Sequence, residues 1–413
     1  MTSVFIRNFG CRVNLAEAFA WAETFEERGL RLAEDWASSD LVLVNTCTLT
    51  GRADRDVRRF VRRVAHERPG LDLVVTGCLA ERAPEEFAGR PGVRLVVPNA
   101  EKPGLAERVL ALTGAGPETE PAHFRARALL KVQDGCDRRC AFCVIPSVRG
   151  RARSLPVEEA ARAARRLADG GYREIVLAGI HLSSYGRDQE PRGSLEALLD
   201  ALEPAAPGVR FRLSSLDPRD LTPASAARLA SRPSVRPHFH LSLQHVSGTI
   251  LEKMGRPVAE GLAGEVLDAV RGASADAAIG ADFIVGFPGE TEEDFRALGD
   301  FFETAPLTYA HVFPFSPREG TPAAGRTPVR EDVRARRADE LRRLAAGKNR
   351  HFRASFVGRT LDGIVVSRRG DDAAVVTANF LKALVPGCGT PRRDAVRVRV
   401  VGLTAGGVRG VPA

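Results

Sequence analysis

The residues best suited to chemistry are Cys136, Cys140 and Cys143, which form a C-x3-C-x2-C triplet in the run KVQDGCDRRCAFCVIPSVRGR. Three thiolates this close together can hold three irons of a four-iron cubane and leave the fourth iron without a protein ligand. Clusters that only carry electrons normally take four cysteines. An open position is what a metal needs when substrate or cofactor must reach it. Zinc is the other metal such a run can bind. Zinc sites favour paired C-x2-C elements with a fourth ligand close by, whereas after Cys143 the next histidine is His181 and the next cysteine Cys388. The spacing favours a cluster.

A second set is dispersed. Cys11, Cys47 and Cys78 stand in FGCRVN, NTCTLT and TGCLAE, each after an apolar strand pattern and before a helical one. In a parallel sheet the carboxyl ends of the strands gather on one edge, where ligands bind in open α/β folds. Any one of these cysteines alone can be a buried small hydrophobe. Three at the same topological position predict a shared metal, again with three protein ligands. Cys388, in the turn PGCGT, is assigned no role.

The elements that must position these residues fall into three segments. Residues 1–115 alternate strands with helices: SVFIRNF before a helix near 15–29, DLVLVN before one near 53–67, LDLVVTG before one near 81–88. That alternation predicts an α/β domain with a mainly parallel sheet. In the second helix Val57, Phe60, Val61 and Val64 share one face, and Arg55, Arg58, Arg59, Arg62 and Arg63 occupy most of the rest; such charged faces are usually just solvated. TGAGPETEPAH (113–123) reads as a linker. Residues 124–350 repeat the β/α unit (ALLKVQ, EIVLAG, FRLSSL, HFHLSLQ, ADFIVGF, AHVFPF), with helices from Pro156 and Ser194. This suits a partial or full (β/α) barrel. Residues 354–413 carry TLDGIVVSR, DAAVVTANFLKALVP and DAVRVRVVGLT between Gly, Asp and Pro turns, which predicts a small all-β barrel.

The chain has 413 residues and a net charge of +8, nearly all of the cationic side chains being arginine. Residues 354–413 hold eight Arg and one Lys against four Asp, +5 in all. Arginine pairs with phosphate bidentately, and a compact basic barrel suits single-stranded or looped RNA. A GC-rich genome also enriches arginine, so charge alone does not assign a partner. Seven scattered cysteines argue against a disulfide framework and for metal or redox use. The N-terminus lacks the pattern of a signal peptide and the longest apolar runs are too short to span a bilayer. A cytoplasmic protein with no membrane partner is expected.

In these residues the chain resembles the methylthiotransferases of the radical S-adenosylmethionine (SAM) superfamily over essentially its whole length. The resemblance rests on three N-terminal cysteines, the C-x3-C-x2-C core and a C-terminal barrel of the TRAM type. GCRVN, VNTCTLT and GCDRRCAFCVIPSVRGR look most like the subgroup acting on N6-threonylcarbamoyladenosine (t6A) in tRNA; EIVLAGIHLSSYG, RLSSLDP, DFIVGFPGET and FPFSPREGTPAA also match. The resemblance implies two 4Fe–4S clusters. One, on Cys136, Cys140 and Cys143, would bind SAM and split it to a 5′-deoxyadenosyl radical. The other, on Cys11, Cys47 and Cys78, would carry sulfur, which a second SAM methylates. The methylthio group would replace the hydrogen on carbon 2 of the adenine beside the anticodon. No classical acid–base residue is implied. Partners would be the tRNA anticodon loop, SAM and an electron donor such as flavodoxin or ferredoxin, and the protein a monomer.

Companion residues for SAM are Gly179 and Ser214–Ser215 at strand ends, Gln244 ending HLSLQ, and Ile284 and Gly286 in the tight IVGFPGE turn; Phe142 would pack the cluster loop. Gly179 also reads as an ordinary turn glycine, and serines at strand ends are common. His181, His240, His245 and His311 read as satisfied core or rim histidines. Two departures stand out. Gln244-His245-Val246-Ser247-Gly248 replaces the usual Q-S-G-S-D run and is similar to relatives acting on a ribosomal-protein aspartate, and Ser154-Leu155 lacks the arginine of the common S-R pair. Neither touches an iron ligand. The two bear on which methylthiotransferase substrate is used: t6A, isopentenyladenosine in tRNA, or the ribosomal aspartate. A reading of another class is a non-catalytic iron–sulfur protein that binds RNA or carries electrons, with both clusters saturated by cysteine.

Overall fold

Long apolar runs flanked by amphipathic helices dictate buried parallel strands, and the computed structural model shows them. It describes residues 2–113 and 124–413; the expected linker, beyond Thr113, lies outside the described residues. The chain forms two compact units, the first comprising residues 1–125, 134–153 and 316–324 and the second the remainder.

In the first unit the strands are β1 (Ser3–Asn8), β2 (Arg31–Leu32), β3 (Leu41–Thr46), β4 (Asp72–Gly77) and β5 (Val93–Val97), all parallel in the order β2-β1-β3-β4-β5. Helices α1 (Arg12–Glu27) and α4 (Leu105–Thr113) cover one face, where Trp21, Phe25 and Val109 pack with Leu41, Leu43 and Val74. Helix α2 (Gly51–Glu67) covers the other with Val57, Val61 and Val64 against Val42, Val44 and Val75. Burial on both faces explains why β3 and β4 read as continuous apolar runs rather than alternating ones. Each buried valine of α2 contributes about 1.5–3 kcal/mol. Thr50 caps α2, its hydroxyl accepting from Ala53 N at 3.2 Å.

The helix expected near 81–88 is shorter and earlier: α3 spans Cys78–Arg82, and a single 3₁₀ turn follows at Pro84–Glu86. Pro84 drives Ala83 out of helical geometry (φ −143°, ψ 64°) and ends α3. Helix α5 (Ile145–Arg149) closes the cysteine loop.

The second unit opens with β6 (Ala128–Lys131); β7 (Gln133–Asp134) and β8 (Arg153–Ser154) are two-residue strands where the chain leaves and rejoins it. Strands β9 (Glu174–Ala178), β10 (Arg210–Leu213), β11 (His238–Gln244), β12 (Ala278–Val285) and β13 (Tyr309–Pro314) follow, separated by α6 (Val157–Asp169), α7 (Leu195–Ala205), α8 (Pro223–Ser231), α9 (Gly248–Lys253), α10 (Leu262–Ala273) and α11 (Glu292–Thr304). Two parallel ladders, β6-β9-β10 and β11-β12-β13, are joined by bridges Phe211–Val235 and Leu216–Leu241. Among the described residues β6 and β13 do not pair, so six strands make a partial barrel.

Helix α12 (Glu331–Ala354) leads into β14 (Thr360–Arg369), β15 (Asp372–Thr377), β16 (Lys382–Val385), β17 (Ala395–Leu403) and β18 (Val408–Pro412), a closed barrel in the order β14-β15-β16-β18-β17. The run expected as one strand, DAAVVTANFLKALVP, is two. Phe380 turns the chain at φ 69°, and the Thr377 hydroxyl accepts from Leu381 N at 2.9 Å. β18 carries little strand signal because VRGVP is short and ends in proline.

Candidate functional site

The strand register explains how the dispersed cysteines meet. Asn45 pairs with both Asn8 and Thr76, and Thr46 with Gly77, so Cys47 and Cys78 follow directly opposed residues and Cys11 lies three residues beyond Asn8. Gly77 makes the approach possible. At φ 98° it takes a conformation that disfavours side chains, and a Cβ there would stand 2.5 Å from Thr46 N and O. The Thr46 hydroxyl accepts from Leu79 N at 3.0 Å and Ala80 N at 3.1 Å, tying the start of α3 to the end of β3. At the third corner Gly10 has no room for a Cβ, which would overlap Asn14, and the Cys11 thiol donates to Asn14 Oδ1 at 3.5 Å.

Cys47 and Cys78 are buried and Cys11 is partly so. Burial pushes the Cys47 thiol up to about 12, with Cys11, Cys78 and Asp54 adding to the rise, and burial likewise raises Cys78. Three convergent thiols, two of them buried where a bare thiolate is disfavoured, fit a metal centre, because metal binding replaces the protons and neutralises the thiolates.

Cys136, Cys140 and Cys143 lie on one loop of the same unit. Cys136 N donates to Gly150 O at 3.1 Å, Cys143 N to Cys140 O at 3.0 Å, and Arg138 N to Cys136 Sγ at 3.4 Å. Gly135 (φ 67°) seats the loop so tightly that a Cβ would meet Arg151 O at 1.9 Å. An N–H aimed at a cysteine sulfur and two half-buried thiols suit a cluster with an accessible iron. Phe142 is half-buried between two of the cysteines, and its neighbour Ala141 accepts from Ala323 N at 2.8 Å.

Side chains not singled out in the sequence bind these parts together. Arg149 Nη1 donates to Asp134 Oδ1 at 2.8 Å and Glu17 Oε1 at 3.0 Å, and its Nη2 to Asn14 Oδ1 at 2.7 Å. Lys102 Nζ reaches Glu17 Oε2 at 2.6 Å, and Asn14 Nδ2 donates to Thr46 O at 2.9 Å. Burial works against the Arg149 charge, but Glu17, Cys78 and Asp134 outweigh it and hold its pKa well above the ordinary value. Arg318 Nη2 donates to Thr48 Oγ1 at 2.7 Å and to Asp54, and Gly51 N to Ser316 Oγ at 3.3 Å. The sequence held a clue in polar Asn45, Glu17 and Arg149 amid apolar runs.

In the second unit the expected SAM residues sit at carboxyl ends of strands. Gly179 N donates to Ser214 Oγ at 3.3 Å, joining the ends of β9 and β10; Ser215 follows, half-buried. Gln244 ends β11 at φ 71°, after a register shift against β12. Gly286 (φ 70°) and Phe287 donate their N–H groups to Glu290 Oε2 at 2.7 and 3.2 Å. The space a Cβ would take at Gly286 is filled by the Arg334 side chain, so the chain's own packing also requires glycine here. Glu290 is held by Arg337 at 2.6 Å. His245, 3.7 Å from Glu290, is pushed down to about 4 by burial and is neutral at neutral pH, so the pair is not an ion pair.

Alternation along β12 defines two faces. Phe283 packs 4.8 Å from Phe302 of α11, so Ile284, Asp282 and Gly280 look away from the helices into the concave side. There Asp282 Oδ1 lies 3.0 Å from His240 Nε2 and 3.1 Å from His311 Nδ1, and Tyr309 OH joins His240 Nδ1 at 3.0 Å to His238 Nε2 at 2.8 Å. The two histidines hold the Asp282 carboxyl below the usual range against the opposing effect of burial. Phe313, 41% exposed, lies beside them. His240 and His311 are thus satisfied by Asp282, a polar residue in an otherwise apolar strand that sequence reasoning passed over. His181 is likewise placed, 2.5 Å from Asp220.

An open (β/α) strand array and a three-cysteine loop are the marks of a radical SAM enzyme, and the radical SAM superfamily model matches residues 130–302. The model of the uncharacterized protein family UPF0004 matches residues 3–98. The radical SAM methyltransferase TsrM from Kitasatospora setae, solved with cobalamin and a [4Fe-4S] cluster, shares the fold: TM-score 0.53, 16% identity, 78% of this chain and 77% of that one. Threonylcarbamoyladenosine tRNA methylthiotransferase MtaB of Bacillus subtilis is 33% identical over 381 residues, 88% of this chain and 84% of its own length. The tRNA-2-methylthio-N(6)-dimethylallyladenosine synthase of Agrobacterium fabrum is 33% identical over 390 residues (87% and 86%). Ribosomal protein uS12 methylthiotransferase RimO of a Synechococcus species is 32% identical over 393 (91% and 83%). The chain belongs to the radical SAM methylthiotransferase family, whose superfamily implies SAM and a 4Fe–4S cluster as cofactors. No helix among the described residues is long and apolar enough to cross a membrane.

Proposed function

We propose that this methylthiotransferase modifies carbon 2 of N6-threonylcarbamoyladenosine beside the anticodon of tRNA, with a second 4Fe–4S cluster on Cys11, Cys47 and Cys78. The convergence of these three thiols at adjacent strand ends carries the second cluster. When bound, the clusters and SAM supply radical generation, sulfur and the methyl group. The chain's own work is positional. Cys136, Cys140 and Cys143 leave one iron open, Arg138 N–H is directed at the Cys136 sulfur, and Phe142 packs the loop. Gly179, Ser214, Ser215, Gln244, Ile284 and Gly286 line the strand ends where SAM would lie.

Identity does not separate the substrates, since relatives named for each lie at 32–33%. The concave strand face favours t6A. Its His240–Asp282–His311 cluster, with His311 exposed, offers a polar surface to a polar N6 substituent, from which a hydrocarbon would gain no hydrogen bond. RNA would be gripped by the barrel, where Arg397 and Arg399 of β17, Arg409 of β18 and Lys382 of β16 point outward beside exposed Val401, Leu403 and Val411. A flavodoxin or ferredoxin would deliver electrons to a cytoplasmic monomer.

Anaerobically reconstituted protein is expected to form 5′-deoxyadenosine from SAM; a folded, iron-loaded preparation that forms none would leave only the non-catalytic iron–sulfur reading. Nucleoside mass spectrometry of tRNA from a host lacking the gene is expected to show t6A without its methylthio group. Retention of the group, with no other enzyme to supply it, would move the substrate to isopentenyladenosine or the ribosomal aspartate.

A further inference from the structure

The concave face of the second ladder carries a cluster that the cysteine chemistry does not use. β11, β12 and β13 are parallel, with Asp282 paired to His311 and Gly280 paired to both His240 and Tyr309. Side chains two residues apart on a strand share a face, so His240, Asp282 and His311 meet on one side of three adjacent strands. Asp282 Oδ1 stands 3.0 Å from His240 Nε2 and 3.1 Å from His311 Nδ1, and the three ligand atoms all lie within 4.8 Å of one another. Hydrogen bonds have such lengths. So do the gaps between neighbouring ligands of one ion, because bonds of about 2.1 Å at right angles end about 3 Å apart.

The support behind His240 suits an ion. A histidine that gives one ring nitrogen to a metal donates the N–H of the other to a fixed acceptor. His240 Nδ1 has that partner in Tyr309 OH at 3.0 Å, which is 2.8 Å from His238 Nε2. The hydroxyl can accept from His240 and donate to His238, which leaves the His240 Nε2 lone pair free for a cation beside Asp282. Without an ion the same chain runs the other way, and His240 Nε2–H donates to Asp282. Tyr309 is held in place by Gly280, where a Cβ would stand 2.0 Å from Tyr309 Cζ. His311 is exposed and gives an ion access from solvent.

We propose that His240, Asp282 and His311 bind one divalent first-row ion such as zinc. Two imidazoles and a carboxylate are a ligand set for Zn²⁺ or Fe²⁺. Three protein ligands leave coordination open on the concave side, where an oxygen donor of a bound substrate would complete it. The site lies wholly within the second unit and depends on neither cysteine triad.

The test uses the full chain with its clusters reconstituted. Equilibrium dialysis against zinc is followed by elemental analysis and zinc X-ray absorption. Wild type is expected to hold about one zinc per chain, with nitrogen and oxygen ligands alone at about 2.0–2.1 Å. His311→Ala, at an exposed position, is expected to weaken zinc binding about tenfold or more, with iron content and zinc-free melting temperature unchanged. Tyr309→Phe keeps all three ligands and is expected to weaken it by about tenfold to a hundredfold. Sulfur at about 2.3 Å from the zinc would place the ion on cysteine and overturn the proposal. Equal zinc affinity in wild type and His311→Ala would overturn it too. So would a wild type that takes up no zinc, because Mn²⁺ and Fe²⁺ bind such ligand sets more weakly still.

Discussion

The two cysteine triads are made by opposite routes. One is local: three cysteines in eight residues, shaped by a loop that Gly135 and Gly150 help to fold. The other is topological: three cysteines separated by more than thirty residues at each step, brought together only because β1, β3 and β4 are parallel and in register. A local triad keeps its geometry as long as its loop is seated. A topological one depends on a whole sheet, and here the structure supplies Gly77, Thr46 and Asn14 to fix the strand ends. The contrast shows why one triad is a recognisable string and the other a pattern of positions.

The sharpest way to break the symmetry is to remove one ligand from each. Cys136→Ser is expected to abolish 5′-deoxyadenosine formation. Cys47→Ser is expected to leave it and abolish methylthio transfer, with iron content falling in both. Loss of SAM cleavage in Cys47→Ser would show that the triads do not divide the work.

Backbone substitution is the next largest effect. Gly77→Ala is expected to cost about 3 kcal/mol, from strain at positive φ and from overlap with Thr46. Urea unfolding measures the loss, and iron on the dispersed triad should fall while the loop triad keeps its own. Gly104→Ala, where a Cβ meets nothing within 4 Å, is the control.

Acid acts on the second unit independently of either triad. His245 is buried beside Glu290, Asp294 and Arg337 and titrates in the folded state at about 4, against an ordinary value of 6.5. Above pH 6.5 it is neutral in both states and contributes no slope. Between 6.5 and 4 the unfolded chain takes up a proton that the folded chain refuses, so stability falls with pH by up to about 3 kcal/mol. His245→Gln is expected to flatten the melting-temperature profile across that window; an unaltered profile would place the acid sensitivity elsewhere.

The smallest effect on chemistry is expected at the barrel. Arg397→Ala with Arg399→Ala should leave 5′-deoxyadenosine formation without RNA unchanged and weaken tRNA binding. The salt dependence of that binding should flatten by about 0.7 in log–log slope for each phosphate no longer neutralised.

Much of the fold could be read from the sequence because periodicity reports burial. The apolar runs at Leu41–Thr46 and Asp72–Gly77 could only be strands covered on both faces, and Val57, Val61 and Val64 mark the buried stripe of α2. What escaped were features set by single residues or by tertiary partners: Pro84 cutting α3 short, Phe380 dividing a strand, and β18 too brief to signal itself. At the candidate site, cysteine spacing and strand-end position picked out two triads, and the strand register brings the dispersed one to adjacent strand ends. Spacing alone could not disclose that Arg149, Glu17 and Lys102 are partners, because buried charge pairs across distant segments leave no local pattern.

The return of residues 316–324 to the first unit has a consequence for biosynthesis. Arg318 bonds Thr48 and Asp54, and Ala323 bonds Ala141, so the first unit is completed by a segment emerging near the end of translation. A growing chain stopped after residue 153 would expose both triads without that closing strap. Completion of the first unit therefore waits on most of the polypeptide leaving the ribosome. By the same logic, no cut in the gene that separates residues 1–125 from the rest can yield the whole of this unit as one continuous fragment.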